Sequence, residues 1–209
     1  MNCPFCGETP TLTERMVCEW SDAYVVSDAH PITFGHLLVI SKKHTLSFGE
    51  MGTQALRGLR DNIIGLAQTL SKIRSKVVVF ERGNKSENVS NIQSVDHAHF
   101  HIIPTNGVED LLPLSKERGD FLALPDYIAQ GPYYFYWNIS DDVAYWGSAS
   151  NVPSQFIRKI VARAEGMDSW NWRSNPSSKE VPLKQSAQIK NMLDSGHCNA
   201  HKLISPSSR

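Results

Sequence analysis

The sequence predicts an α+β fold in which an antiparallel sheet of about five strands packs against one long amphipathic helix. Short apolar segments typical of strands flank a helical segment, and the short connections between neighbouring strand segments favour antiparallel pairing. The chain has 209 residues, which suits one main domain with a C-terminal α/β extension. We predict a main domain over residues 1–112 and an extension over residues 113–209, a hairpin and helices packed on that domain.

The elements of the main domain follow from local patterns. Strand signals occur at residues 23–27 and 35–41, with turn-forming residues between them. From Thr53 to Ile73 apolar residues recur every three or four positions, which predicts an amphipathic helix. A buried strand is predicted at residues 76–81, and alternation predicts another from Val95 to Ile103.

The extension carries weaker signals. Residues 133–138 and 142–146 have the pattern of a hairpin, residues 154–164 that of a helix capped by Ser154, and a further helix is predicted from Val181 to Leu193. The aromatic side chains of the hairpin could stack on a nucleobase, but such strands more often bury a core or a dimer contact. We therefore assign none of them to a site.

Composition excludes several classes of partner. Lys and Arg total 21, as do Asp and Glu, so no net charge attracts nucleic acid or an anionic membrane. No apolar run approaches the ~18 residues of a membrane span, and the N-terminal residues lack the pattern of a secretion signal. We expect a cytoplasmic protein without a membrane partner, and the charge balance argues against a nucleic-acid partner.

The most informative segment alternates three histidines. It reads Gln93-Ser-Val-Asp-His97-Ala-His99-Phe-His101-Ile-Ile-Pro104. Side chains two residues apart on a strand project from the same face, so three imidazoles line one surface. A neutral imidazole is a competent nucleophile toward phosphorus, and neighbouring donors can stabilise charge on phosphoryl oxygens. We predict that His99, flanked on both sides, is the nucleophile; a polar outer face of an edge strand is the alternative interpretation.

This segment resembles the signature of the histidine triad (HIT) superfamily, which includes nucleotide hydrolases and nucleotidyltransferases. The similarity continues upstream through Asp28-Ala-His-Pro-x-x-x-Gly-His-Leu-Leu-Val-Ile-Ser-Lys-Lys-His44 and covers roughly residues 1–106. It implies a HIT-like fold, a homodimer and a nucleotide substrate, with a purine base favoured. Two positions depart from the commonest pattern: Ile92 replaces a frequent glycine, and Glu81 replaces a frequent asparagine.

The resemblance also implies roles for individual residues. His99 would become nucleotidylated, and His101 would be its partner on the phosphate side. Gln93 and Ser94 would donate hydrogen bonds to the phosphate or the leaving group. Asp28 would bind the ribose hydroxyls; a turn-forming aspartate near Pro31 is the alternative.

Cys3-Pro-Phe-Cys6 has the spacing of a zinc-binding pair, which needs two further ligands. HIT branches similar to galactose-1-phosphate uridylyltransferases complete such a site with residues that correspond to His44 and His97. The resemblance thus implies a structural zinc ion held by protein side chains alone. Reduced free cysteines are the alternative; disulfides are disfavoured in a reducing compartment, and a metal site at His197-Cys198-x-x-His201 is disfavoured in a polar tail.

Two polar residues of the extension could also reach the site. Gln155 and Arg158 lie about one helical turn apart, close enough together to approach one substrate phosphate. A solvated helix face is the favoured interpretation of this pair. We therefore leave both residues out of the predicted site.

These inferences together predict a nucleotide hydrolase. It acts on the α-phosphate of a dinucleoside polyphosphate or a nucleoside phosphoramidate through a nucleotidyl-histidine intermediate. One alternative is a nucleotidyltransferase or phosphorylase similar to galactose-1-phosphate uridylyltransferases. Another is a nucleotide-binding protein with little turnover, and the charge balance argues against processing of nucleic-acid ends.

Overall fold

The computed structural model describes residues 3–6, 10–85, 95–106, 108, 117–153, 155–167 and 178–193. Its strands are β1 (Met16–Glu19), β2 (Ala23–Ser27), β3 (Leu37–Ser41), β4 (Lys76–Gly83), β5 (His99–Thr105), β6 (Glu117–Arg118), β7 (Tyr133–Asn138) and β8 (Val143–Ser148). Its α-helices are α1 (Pro10–Glu14), α2 (Thr53–Leu70), α3 (Leu124–Gln130), α4 (Phe156–Ala164) and α5 (Glu180–Met192). Short 3₁₀ helices span Phe48–Glu50 and Phe121–Ala123.

The described strands form one sheet in the order β1-β2-β3-β5-β4-β7-β8-β6. Every pairing is antiparallel, as predicted. The predicted strand count of about five was wrong, because the hairpin of the extension pairs with β4 and continues the same sheet. Strands β1 and β6, with four and two residues, are too short to show a period in sequence. The division of the chain near residue 112 stays a prediction.

Helix α2 covers one face of the sheet. Its apolar stripe is buried, including Leu56, Ile63 and Leu70, and packs in one core with side chains of the central strands such as Val79 and Phe100. The helix ends at Leu70, three residues before the predicted end. Within the described residues, no helix has both the length and the hydropathy that a bilayer span requires.

Helix α4 lies against the opposite face of the sheet. Ile157 and Val161 belong to a second core there, together with Phe80 and Ile103 of the central strands. The aromatic side chains of β7 are buried as core residues, as the more common use of such strands suggests. The N-cap of α4 is Gln155, with a left-handed φ of 64° and no side-chain cap bond, so the predicted Ser154 cap was wrong. Ser154 itself lies outside the described residues.

Glu81 belongs to a buried polar cluster on the α2 side of β4. The Tyr133 hydroxyl donates a short hydrogen bond to its carboxyl group, and the backbone N–H of Phe48 donates another at 2.9 Å. The hydroxyl oxygens of Ser47 and Tyr133 lie 2.9 Å apart. Burial raises the pKa of Glu81 to about 8, although both hydrogen bonds act in the opposite direction.

We expect the Glu81→Gln variant to be more stable than the wild type at pH 9. Unfolded Glu81 ionises near pH 4.5 and folded Glu81 only near pH 8, so its contribution to stability is complete below pH 4.5 and is lost as the pH rises to about 8. A glutamine keeps a donor and an acceptor and does not titrate. Urea unfolding at pH 4.5 and pH 9 measures the free energy of unfolding of both proteins. The difference between the variant and the wild type should shift in favour of the variant at pH 9. The exposed Glu117→Gln is the control; an equal gain there would contradict the prediction.

Gly83 fits only because it lacks a side chain. A Cβ atom there would lie 2.3 Å from the ring of Tyr133, which is fully buried. Gly83→Ala should therefore lower the free energy of unfolding by roughly 1–3 kcal/mol. The matched substitution Gly58→Ala, on the exposed side of α2 with open space around it, should raise it by about 1 kcal/mol. Thermal unfolding of both variants tests these two predictions, and equal shifts in Tm would refute them.

Candidate active site

The histidines occupy the middle of the sheet, where β5 lies between β3 and β4. His99 pairs with Ile40 of β3, and His101 pairs with Leu38 of β3 and Phe80 of β4. Phe100 lies between them in sequence and points into the opposite core. The predicted alternation is thus present, although His97 precedes the first residue of β5.

The hydrogen bonds of His99 define which of its nitrogens can react. Its Nδ1 lies 2.7 Å from the backbone carbonyl of His97. A carbonyl oxygen only accepts, so Nδ1 carries the proton and Nε2 keeps a free electron pair. Burial lowers the pKa of His99, which favours the neutral, nucleophilic ring. The triad therefore orients its middle ring through the backbone of His97.

His101 is oriented by His36, which immediately precedes β3. The backbone N–H of Ile32 donates to His36 Nδ1 at 3.1 Å, so the proton of His36 is on Nε2. That nitrogen lies 3.0 Å from His101 Nδ1, which must therefore accept and leave the proton of His101 on Nε2. Burial lowers the pKa of His36 to about 3 and the pKa of His101 well below its usual value, so both rings are neutral. The ring of Phe80 stacks on His101 with 4.7 Å between centroids.

Sequence reasoning did not assign a role to His36. The sequence did contain a clue to His36, because this residue lies in the segment Gly-His-Leu-Leu-Val-Ile-Ser, which is part of the resemblance to the HIT superfamily. What the sequence could not show is that the start of β3 lies beside the middle of β5. The register Leu37 to Ile102 creates this proximity.

Asp28 lies at the end of β2 and is 3% exposed. Its Oδ1 accepts from the backbone N–H of His30 at 2.7 Å and from Arg158 Nη2 at 3.3 Å. Its Oδ2 lies 3.3 Å from Arg158 Nη1, 3.5 Å from His36 Nε2 and 3.7 Å from His101 Nδ1. Burial alone would raise the pKa of Asp28, but Arg158, His36, the His30 N–H and Arg15 outweigh it, so the pKa is lowered and the group is a carboxylate.

The interpretation of Arg158 as part of a solvated helix face was wrong. Its side chain points into the protein because α4 packs on the histidine face of the sheet, and the residue is only 9% exposed. Besides Asp28 it contacts the backbone carbonyl of His30 at 2.9 Å. Gln155, one turn earlier, is half-buried and lies along the same cavity.

A cavity of about 210 Å³ opens beside the two catalytic candidates. The side chains around it include aromatic and aliphatic groups, two guanidinium groups and one carboxylate. They belong to Pro4, Phe5, Arg15, Asp28, Ala29, His30, Leu38, Val95, His99, His101, Gln155 and Arg158. The cavity thus combines an apolar part with cationic groups next to a nucleophilic nitrogen. The apolar part suits a flat ring, and the cationic groups suit a phosphate attached to the same ligand.

Four side chains converge next to this cavity, as predicted for a metal site. The ligand atoms of Cys3, Cys6, His44 and His97 all lie within 4.8 Å of one another. His97 Nδ1 is 3.3 Å from Cys3 Sγ, and His44 Nδ1 is 3.1 Å from Cys6 Sγ. His97 Nε2 donates to the carbonyl of Ser41 at 2.7 Å, which leaves Nδ1 free to bind a metal. Two thiols and two imidazoles are a donor set that suits tetrahedral zinc.

Asp28, His36 and His101 also have ligand atoms within 4.8 Å of one another. The guanidinium of Arg158 already balances the carboxylate of this group. A second cation there would meet the positive charge of Arg158, so we assign this cluster no metal.

Most of the remaining residues singled out in the sequence cannot be compared with the structure. Gln93, Ser94 and the variant position Ile92 lie outside the described residues, as does the segment 197–201. Glu81, where the family often has asparagine, points to the α2 face and does not reach the cavity.

Comparisons with known proteins identify the family of this chain. The family model described as "HIT domain" matches residues 9–108. A HIT-like protein of Mycoplasma pneumoniae is 32% identical over 108 residues, which cover 49% of this chain and 71% of the relative. An adenosine 5′-monophosphoramidase of Schizosaccharomyces pombe is 31% identical over 110 residues, covering 50% of this chain and 74% of the relative.

A solved structure, that of a Hit-like protein involved in cell-cycle regulation from Bartonella henselae, covers 86% of each chain at 19% identity and a TM-score of 0.46. The family model spans the segment that contains Asp28, His36 and the three alternating histidines. Both relatives are more than 30% identical over more than two thirds of their own length. This chain therefore belongs to the HIT family of histidine-triad proteins.

Proposed function

We propose that this protein is a nucleotide hydrolase that acts on the α-phosphate of a nucleoside phosphoramidate or a dinucleoside polyphosphate. The observation that carries the proposal is the pair of ring tautomers on β5. His99 Nε2 has a free electron pair, while His101 Nε2 carries a proton, so a nucleophile and a donor stand side by side. The similarity to adenosine 5′-monophosphoramidases of three yeasts supports the same chemistry.

The reaction follows from these two atoms. His99 Nε2 attacks the α-phosphorus in line and a P–N bond forms. The bond to the leaving group breaks, and the leaving group takes the electron pair and, when it is an amine, a proton from water. His101 Nε2–H donates to a phosphoryl oxygen as negative charge develops there. Water then attacks the phosphorus of the nucleotidyl-His99 intermediate, and a P–O bond forms as the P–N bond breaks. The electron pair returns to His99 Nε2, one proton of the water passes to the solvent, and the nucleoside monophosphate is released. Gln93 and Ser94 stay predicted donors to the phosphate or leaving group, and Asp28 the predicted ribose contact.

We further propose that Cys3, Cys6, His44 and His97 hold a structural zinc ion. The Ser41 carbonyl fixes His97, and the four side chains can fill a tetrahedral site without a free position. The bound ion would supply a crosslink between the N-terminal segment and the residues that precede β5. The catalytic strand would thereby gain a fixed start at His97, whose carbonyl orients His99.

Two further predictions concern partners. A purine base is predicted by family resemblance. The rates of monophosphate release from adenosine phosphoramidate and from uridine phosphoramidate test this preference. A homodimer is likewise predicted by resemblance. Light scattering after gel filtration tests the predicted mass.

The proposed function is tested by trapping the intermediate. The protein is mixed separately with adenosine phosphoramidate and with a diadenosine polyphosphate, quenched in mild alkali and measured by intact mass. We expect an added adenosine monophosphate on the protein and free monophosphate in solution, with the faster substrate giving the leaving-group class. Nucleotide binding without adduct or turnover would instead support a binding protein. Turnover only with added phosphate or sugar phosphate would support the transferase alternative.

A further inference from the structure

We propose that Arg158, which α4 contributes from beyond the matched HIT domain, is a positioning residue of the active site. It holds Asp28 and, through Asp28, the His36 and His101 pair that presents a donor to the phosphate. The inference deepens the proposed function and rests on it for its kinetic part. The family model ends at residue 108, so the extension would complete the site that the domain begins.

The guanidinium of Arg158 makes a two-point contact with the Asp28 carboxylate and also binds the loop that follows β2. Its two terminal nitrogens each lie 3.3 Å from a different oxygen of Asp28, and one of them also bonds the His30 carbonyl at 2.9 Å. A planar guanidinium matches a carboxylate in this two-point geometry. Because Asp28 and Arg158 are 3% and 9% exposed, water does little to weaken the pair.

Asp28 transmits this constraint to the catalytic donor. Its Oδ2 is 3.5 Å from His36 Nε2 and 3.7 Å from His101 Nδ1, beside the 3.0 Å contact that joins the two rings. If Arg158 is lost, the Asp28 carboxylate within reach of both rings loses its two-point partner, and Arg15 is the arginine that still acts on it. That carboxylate attracts a proton to their facing nitrogens, and a proton on His101 Nδ1 would remove the acceptor that now orients His101.

A second helix of the extension braces the same loop. Gln185 of α5 accepts from the backbone N–H of Gly35 at 3.2 Å and donates to the carbonyl of His36 at 2.9 Å. Gly35 has a φ of +89°, and a Cβ atom there would lie 2.8 Å from Pro104, so this loop has little freedom. Arg158 and Gln185 thus hold the two ends of the segment from Asp28 to His36.

The test compares three variants in the full chain. Arg158→Gln removes the charge and the fork, and Arg158→Lys keeps the charge but presents one nitrogen. Lys159→Gln removes one charge from the exposed side of the same helix and is the matched control. We measure kcat and KM for adenosine phosphoramidate and, by nitrogen-15 NMR of labelled histidines, the protonation of each ring nitrogen of His101.

We expect Arg158→Gln to lower kcat by about 10- to 100-fold with KM changed less, and to abolish the unprotonated Nδ1 signature of His101. Arg158→Lys should lose about 10-fold, and Lys159→Gln should match the wild type. If Arg158→Gln retains the His101 signature and its kcat lies within twofold of Lys159→Gln, the proposal is wrong. If Arg158→Gln fails to fold, Arg158→Lys decides by the same criteria.

The NMR readout separates this proposal from the proposed function. If the wild type forms no adduct, the hydrolase proposal fails, but the His101 signature still reports whether Arg158 sets the ring. If the wild type forms an adduct and the signature is unchanged in both Arg158 variants, only the role of Arg158 is refuted.

Discussion

Replacing His99 by alanine is expected to remove the nucleotidyl adduct and to lower kcat on the order of 10⁴-fold or more. The variant loses the His99 Nε2 electron pair, which lies beside the His101 donor at the cavity. Intact mass and single-turnover release of adenosine monophosphate measure both effects. Because His99 is half-buried and not part of the Cys and His cluster, we expect the variant to keep its fold and the proposed zinc ion.

Two controls make the result specific to His99. Imidazole added to the alanine variant can enter the vacated space and should restore part of the rate, since a small nucleophile replaces the missing ring. His101→Asn should instead retain a slow adduct, because it weakens a donor and leaves the nucleophile in place. An adduct of equal yield in His99→Ala and the wild type would assign the chemistry to another residue.

Removal of the proposed zinc ion is expected to give the largest loss of stability among these changes. A ligand that binds only the folded chain at a thousand times its Kd contributes about 4 kcal/mol. For a protein of this size the loss corresponds to a fall in Tm of roughly 8–16 °C. We expect one bound zinc per wild-type chain and less than one in Cys6→Ser, measured by elemental analysis and thermal unfolding, with and without a chelator.

The proposed zinc ion should also affect catalysis indirectly. Phe5 lies between the two cysteines and its ring contacts the rings of His97 and His99, at centroid distances of 5.9 Å and 5.3 Å. Loss of the crosslink frees Phe5 and should slow adduct formation. Cys18→Ala is the control, because Cys18 is buried in the main core away from the cluster; it should keep its zinc. A Cys6→Ser protein with full zinc content would refute the site.

Sequence alone determined the parts of this protein that depend on local periodicity. The strand at residues 23–27 and the start of α2 at Thr53 follow from patterns within a few residues, and the alternation around His99 places two imidazoles on one face. The Cys3 and Cys6 spacing, joined to the HIT resemblance, named all four members of the cluster. The family itself was recognisable from the same segment.

The tertiary structure decided everything that depends on contacts between distant segments. Only the pairing of β7 with β4 shows that the extension continues the sheet, since hydrogen bonding along a strand edge leaves no periodic signature in sequence. The role of Arg158 depends on Asp28, 130 positions earlier, and that of His36 on the register between β3 and β5. A buried charge needs a partner, and helix packing across the sheet chooses which residue supplies it.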